Sequence, residues 1–365
     1  MQKILTIVGA RPQFVKAAAL SRQLKKYNIE EILVHTGQHF DKNMAEIFFD
    51  EMEIPKPKYN LGIHSLSHGA MTGRMLEEIE KVILGEKPSI VVVFGDTNST
   101  LAGALAASKL HVPVAHIEAG LRSFNMKMPE EINRILTDRI SDILFCPTES
   151  SIKNLRIEGF DKFDNRIENI GDVMYDVALY YSRFSAERST LPKTVTDSKK
   201  PVILTTLHRQ ENTDNLTRLQ SIVDALNILS KTFEIVLPIH PRTKTIIENE
   251  NIKLDFKPLA PVGYFDMIEL LKKCEFVISD SGGLQKEAFF FEKQCLVIRD
   301  ETEWTELIEL GYNFLVGSNT NLIIEKANQI ATSKKSFTEK PYGNGDAAEK
   351  IALRLQEFFD NNNGL

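Results

Sequence analysis

Carboxylates stand at three places where a chain could use them for proton transfer. "VVVFGDTNSTLAG" (91–103) carries Asp96 just past an apolar run, and "AHIEAGLRS" (115–123) carries Glu118 in the same place on the next run. "MPEEINR" (128–134) follows with Glu130 and Glu131 behind Pro129, at a helix start. Singly, each has an ordinary reading: an acid past a strand caps the next helix, and Glu in a first turn suits the helix dipole. Together, from neighbouring strand-end segments, they could share acid and base roles, because carboxylates collected in one cleft split their pKa values.

Cations and a histidine stand at other strand ends, where they could meet a phosphate or diphosphate. "VGARPQFVK" (8–16) ends the first run with Arg11 and Lys16, and Pro12 suits a first helical position. Arg grips a diphosphate through two N–H groups and Lys adds a point charge; the plain alternative is surface cations on a helix. "LTTLHRQEN" (204–212) brings His208 and Arg209, with Glu211 and Asn212, to another strand end, and "LPIHPRT" (237–243) repeats the theme with His240 and Arg242. In "VISDSGGLQKEAFFFEKQCLVIRD" (277–300), Asp280 and Ser281 are good N-caps, and Gly282 and Gly283 let a backbone approach closely. Exposed N–H groups at a helix start favour an anion. Glu287, one turn further on, is placed to accept from hydroxyls beside it. The alternative is a tight turn without a ligand.

These segments need a frame. Apolar runs at 3–9, 31–37, 89–95, 112–118, 142–148 and 166–171 alternate with helical patterns at 12–26, 67–84, 98–109, 130–140 and 149–158. A polar stretch at 183–201 interrupts, and a second alternation has strands near 202–206, 234–239, 275–279, 294–298 and 313–316. Strands separated by helices predict parallel sheets covered on both faces. The expected fold is α/β, with two Rossmann-like doubly wound domains facing a cleft and ligands beyond the carboxyl ends of the strands. A chain of 365 residues suits two domains. Their expected extents are 1–170 with a returning C-terminal helix at 345–365, and 171–344.

With 44 Lys plus Arg against 50 Asp plus Glu, the net charge is −6, and no basic excess points to nucleic acid. Cys146, Cys274 and Cys295 are scattered in apolar runs and read as reduced core thiols of a cytoplasmic protein. No run reaches the ~20 apolar residues of a membrane span, and the start reads as a first strand. "GNGDAA" (343–348) matches a dinucleotide fingerprint in letters but follows no strand, so no nicotinamide is expected. The pairs His35/His39 and His64/His68 lack an accompanying acid, so no metal is expected.

"GARPQFVK", "FGDTNSTLAG", "HIEAGLRS", "PEEINR", "HRQEN", "DSGGLQKEA" and "PYGNGDAA" together resemble the non-hydrolysing UDP-N-acetylglucosamine 2-epimerase family, in order and spacing over nearly the whole chain. The resemblance implies the GT-B type of fold, a homodimer, and no metal or nicotinamide requirement. It implies that Ser281, Gly282 and Gly283 bind phosphate and that Glu287 binds the ribose. Arg11 and His208 would face the diphosphate, and Asp96, Glu118 and Glu130 would surround the sugar. Gln38-His39 matches part of a second, activating substrate site found in some members. Gln13 stands where many members have Glu, and Ala10 where many have Thr.

A shortened Arg122–Pro129 loop, "RDETEW" (299–304) and "SHGAMTGRML" (67–76) resemble the branch acting on UDP-2,3-diacetamido-2,3-dideoxyglucuronic acid, a precursor of O-antigen and capsule. Arg122 and Lys127 are the expected cations for its carboxylate. The competing activities are epimerisation of UDP-N-acetylglucosamine, a hydrolysing epimerase, a GT-B glycosyltransferase and a nucleotide-sugar sensor without catalysis.

Overall fold

Ile90–Phe94 is apolar at every position and buried at every position, as a strand covered on both faces must be. The computed structural model describes residues 2–38, 55–192 and 198–362, the side chains of Arg11 and Asn362 apart. His39 therefore lies outside the described residues. The chain divides into two compact units, Met1–Val177 with Lys340–Leu365, and Ala178–Glu339.

The first unit is built on seven parallel strands: β1 (Lys3–Val8), β2 (Glu30–His35), β3 (Tyr59–Asn60), β4 (Ile90–Phe94), β5 (Val114–Ile117), β6 (Ile143–Cys146) and β7 (Arg166–Asn169). Their order is β3-β2-β1-β4-β5-β6-β7. The helices between them are α1 (Arg11–Lys26), α2 (His68–Glu86), α3 (Asn98–Lys109), α4 (Pro129–Arg139) and α5 (Glu149–Ile157), and α6 (Val173–Ser182) follows β7. The order reverses between β1 and β4, so the loops after these two strands open a crevice at the switch point. Those loops hold Arg11 and Asp96. Helix α3 approaches the sheet closely because it is made of small residues: a Cβ on Gly103 would stand 2.7 Å from Ile7.

The second unit has β8 (Val202–Thr206), β9 (Glu234–Val236), β10 (Phe276–Ser279), β11 (Cys295–Val297) and β12 (Asn313–Leu315), in the parallel order β12-β11-β10-β8-β9. Its helices are α7 (Ser185–Arg188), α8 (Gln210–Thr213), α9 (Leu216–Leu229), α10 (Pro241–Asn249), α11 (Tyr264–Lys273), α12 (Gly282–Phe290), α13 (Thr305–Glu309) and α14 (Thr320–Thr332). Here the switch lies between β8 and β10, whose loops carry His208 and Ser281.

The last helix, α15 (Ala347–Asn362), belongs to the first unit. The Asp176 carboxylate accepts from the N–H groups of Ala347 and Ala348 at 3.1 and 2.8 Å, filling the place of an N-cap. Glu349 and Arg354 add ion pairs to Lys26 and Glu168. Gly171 holds φ +88° where a Cβ would meet the Tyr342 carbonyl at 2.8 Å, so the glycine is what lets the returning segment lie against the end of β7.

The apolar runs became strands within a residue or two of their expected ends, except that the run at 234–239 stops as a strand at Val236. The structure adds β3, two residues without an apolar run, and α7, one turn inside the stretch read as a polar interruption. The three cysteines are free and buried, and burial pushes each thiol up from its ordinary value. Among the described residues no helix is long and apolar enough to cross a membrane.

Candidate active site

In the first unit the loops after β1 and β4 are joined by one buried amide. Gln13 accepts from the N–H groups of Gly9 and Ala10 at 2.8 and 3.0 Å, and its NH2 donates to the Phe94 carbonyl at 2.6 Å, with Thr97 and Thr100 hydroxyls each 3.0 Å away. An amide can serve both ends of that contact; an ionised carboxylate would oppose the carbonyl. Gln38 continues the seam, accepting from the N–H and hydroxyl of Ser99 at 3.1 and 2.7 Å.

Asp96 follows Gly95, which takes φ +63° to turn the chain out of β4. It does not cap α3; Thr97 does, accepting from the Thr100 N–H. Its carboxylate is thus left for other work, and Arg134 of α4 donates to it at 2.5 Å while Asn133 donates to its backbone carbonyl at 2.9 Å. Glu118 ends the adjacent strand β5. It adopts φ +71°, uncommon for a residue with a Cβ. Its side chain lies over the neighbouring loop, with Oε2 3.3 Å from where a Gly95 Cβ would stand. The Lys16 ammonium is bonded to that same oxygen. Lys16, expected to serve a diphosphate, therefore sits against a candidate catalytic carboxylate.

Glu130 and Glu131 part company. Glu131 is 1% exposed and accepts from the N–H groups of Ser123 and Phe124, both at 2.9 Å, and from Arg134 at 2.7 Å. It fixes the loop before α4. Burial alone would raise its carboxyl, but those donors bring it below its ordinary value. Glu130, one residue earlier, is exposed in the first turn. Arg122 corrects an expectation. Its guanidinium is turned inward, donating to Asp138 at 2.7 Å and to both oxygens of Glu158 at 2.7 and 2.8 Å, and it is no open cation for a sugar. Lys127 stays exposed on its loop, its backbone N–H bonded to Asn125 at 3.1 Å.

In the second unit Asp280 is not the cap of α12. Fully buried, it accepts from the N–H groups of His208 and Arg209, each at 2.9 Å, and lies 3.1 Å from His208 Nδ1. Burial works to raise the carboxyl, and these partners hold it below its usual range. With Nδ1 turned to Asp280, the ring presents Nε2 on its other side. Ser281 is the cap, accepting from the Leu284 N–H. Arg209 reaches back to the Asp280 carbonyl at 3.1 Å, and Arg299 pairs with Glu303 at 2.9 Å. His240 caps α10, and Arg242 pairs with Asp214.

Gly282 and Gly283 sit in a helix where Ala would be ~1 kcal/mol better. Neither has positive φ, and their Cβ atoms would meet nothing nearer than 3.6 and 4.0 Å. Neither backbone conformation nor packing requires a glycine at these two positions. Glu287, half-buried, lies beside Tyr264, whose hydroxyl is raised first by burial and then by that carboxylate. Gly283→Val is expected to keep the fold, measured by circular dichroism, while weakening UDP binding by about tenfold in calorimetry, since a branched side chain would stand over the N–H groups. Unchanged affinity would remove α12 from the site.

The sequence reading missed Gln13 as a joint between loops, and missed the service of Asn133, Arg134, Asp138 and Asp280 to other segments. Only the i+3 and i+4 spacing of Asn133 and Arg134 after Glu130 hinted that α4 presents one polar face toward the strand ends.

Comparison with known proteins bears on this arrangement. A family model described as UDP-N-acetylglucosamine 2-epimerase matches residues 22–356. The chain is 57% identical over 358 residues, 98% of this chain and 100% of the other, to the UDP-2,3-diacetamido-2,3-dideoxy-D-glucuronate 2-epimerase of Pseudomonas aeruginosa. It is 45% identical over 365 residues, 97% of this chain and 98% of the other, to the UDP-N-acetylglucosamine 2-epimerase of Methanocaldococcus jannaschii. The crystal structure of a Methanocaldococcus jannaschii UDP-GlcNAc 2-epimerase in complex with UDP-GlcNAc and UDP matches with a TM-score of 0.83 at 42% identity, covering 98% of this chain and 100% of that one.

Proposed function

Since this chain belongs to the UDP-N-acetylglucosamine 2-epimerase family, we propose that it inverts C2 of a UDP-2-acetamido sugar, with UDP-2,3-diacetamido-2,3-dideoxyglucuronate as its substrate. The carrying observation is the end-to-end identity of 57% to the Pseudomonas aeruginosa enzyme of that name, against 45% to the Methanocaldococcus jannaschii enzyme named for UDP-N-acetylglucosamine.

No carbonyl adjoins C2, so its hydrogen is not acidic and direct abstraction is disfavoured. The anomeric C–O bond breaks and UDP leaves with its electrons, while a carboxylate takes the C2 proton to give a 2-acetamidoglycal. UDP then adds back at C1, and an acid protonates the opposite face of C2. Asp96, Glu118 and Glu130 are the proton carriers. His208 through Nε2, Arg209, Arg11 and the start of α12 carry the charge of the departing diphosphate. Glu287 holds the ribose. The same reading has the enzyme working in the cytoplasm as a homodimer, without metal or nicotinamide, toward a surface polysaccharide.

A uronate carboxylate must meet a cation or several donors when it leaves water. With Arg122 committed inward, Lys127 is the loop residue for it. The test is turnover of each sugar read by NMR. The expected result is a C2-inverted, still UDP-linked product, with kcat/KM for the uronate at least ~10-fold above that for UDP-N-acetylglucosamine. Lys127→Met should narrow the ratio. A preference for UDP-N-acetylglucosamine would return the chain to that activity, and release of free UDP with a reducing sugar would mark a hydrolysing enzyme.

A further inference from the structure

We propose that His116 and Asp138 are positioning residues, a buried ionic strap that holds the Glu118 and Asp96 loops in their working geometry; this rests on the reading of those two carboxylates as proton carriers. His116 and Asp138 are both 0% exposed. His116 lies on β5 two residues before Glu118. Its Nδ1 is 2.7 Å from Asp138 and its Nε2 is 2.7 Å from the Gly95 carbonyl, the residue before Asp96. Both contacts are within hydrogen-bond distance, one to a carboxylate and one to a backbone carbonyl. One ring thus ties the end of β5 to the turn after β4.

Asp138 carries the tie onward. It accepts from the Gly120 N–H at 3.1 Å and from Arg122 at 2.7 Å, and Arg122 grips Glu158 with its remaining N–H groups. The span between His116 and Gly120 contains Glu118. A left-handed backbone at a residue with a Cβ persists only where its surroundings over-determine it. Here the N–H groups of Glu118 and Ala119 both bond the Phe145 carbonyl at 3.1 Å, and the strap fixes the residues on either side. Gly120 also needs its glycine: at φ +76° a Cβ would stand 2.5 Å from the Ser151 carbonyl. Burying the Asp138–Arg122 ion pair for the fold alone is a poor use of it, since apolar residues of like volume serve stability as well or better. Fixing the direction in which a strained carboxylate points is a use that apolar residues lack.

The test compares kinetics, not stability. His116→Gln keeps a donor for one of the two acceptors and gives up the other. Assayed at a temperature where circular dichroism shows it folded, it should lose about thirtyfold in kcat, within the loss that ångström-scale misplacement brings. KM should stay within about a factor of two, as expected when only transition-state geometry suffers. The isotope effect with substrate deuterated at C2 should rise, because proton transfer becomes the slow step. Arg122→Lys, which keeps a charge for Asp138 but not the fork to Glu158, should show the same pattern more weakly and covers the case of a His116→Gln protein too unstable to assay. A folded variant with wild-type kcat and isotope effect overturns the proposal. Glu118→Gln is run beside them: full activity there would sink the catalytic reading, and this proposal with it, whereas an inactive Glu118→Gln with normal strap variants sinks the strap alone.

Discussion

Asp96→Asn is expected to cut kcat at least ~100-fold, the usual scale for a positioned acid or base, while leaving the fold in place. The amide matches the carboxylate in shape, the Asn133 bond to the Asp96 backbone is untouched, and Arg134 keeps Glu131 as its partner. What is lost is the charge and the capacity to carry a proton. Steady-state rates from coupled or NMR assays measure this directly. Turnover of the wild type in D2O should place deuterium at C2 of the product, because the returning proton comes from an acid that has exchanged with solvent. Retention of the original hydrogen at C2 would exclude a route that takes the proton on one face and returns it on the other. Glu130→Gln should fall by a similar factor; near-normal turnover in both variants would end their assignment.

Gly9→Ala is expected to be a strongly damaging addition of a single methyl in the first unit, at about 3 kcal/mol, the upper part of the range for overpacking a filled core. Its Cβ would stand 2.0 Å from the Ser99 hydroxyl and 2.3 Å from that of Thr36. Those two groups cannot simply swing away. They are buried, bonded to each other at 2.8 Å, and Ser99 is further bonded to Gln38. The turn that presents Arg11 and the seam that carries Asp96 would shift together, so activity should fall with stability. Gly73→Ala is the control. It lies in the interior of α2 with nothing within 4 Å of its would-be Cβ, and should stabilise by ~0.5–1 kcal/mol through helix propensity. Urea melts of the two variants against wild type measure the contrast, and equal effects would show that the packing around Gly9 is not tight.

Much of this protein was legible before any coordinates. Strands covered on both faces must be apolar throughout, so runs such as 90–94 declare themselves, and their alternation with helices implies parallel sheets whose carboxyl ends share one side. Hence Asp96, Glu118, His208 and Ser281 could be assigned to strand ends from sequence, and the motifs around them sufficed to suggest the family. Local glycine chemistry was also readable, because a glycine leaving a strand limits what can stand next to it.

What sequence left open was the direction of each polar side chain, and that is a property of partners far along the chain. Glu130 and Glu131 are the same residue type one position apart. Only the packing of α4 buries the second against the loop N–H groups and leaves the first exposed. Asp280 and Ser281 were equivalent caps on paper; the 72-residue separation to His208 could not announce that one of them turns away to hold the backbone N–H groups of His208 and Arg209. Arg122 read as a cation at the mouth of a site. Its destination was set by Asp138 and Glu158, 16 and 36 residues later, because the buried Asp138 carboxylate needs a cation and the half-exposed Glu158 completes the fork around it. Residue type and strand-end position fixed which groups were available for chemistry. Long-range packing, through which buried charges must find their partners, decided which of them are tied into ion pairs and loop anchors and which are not.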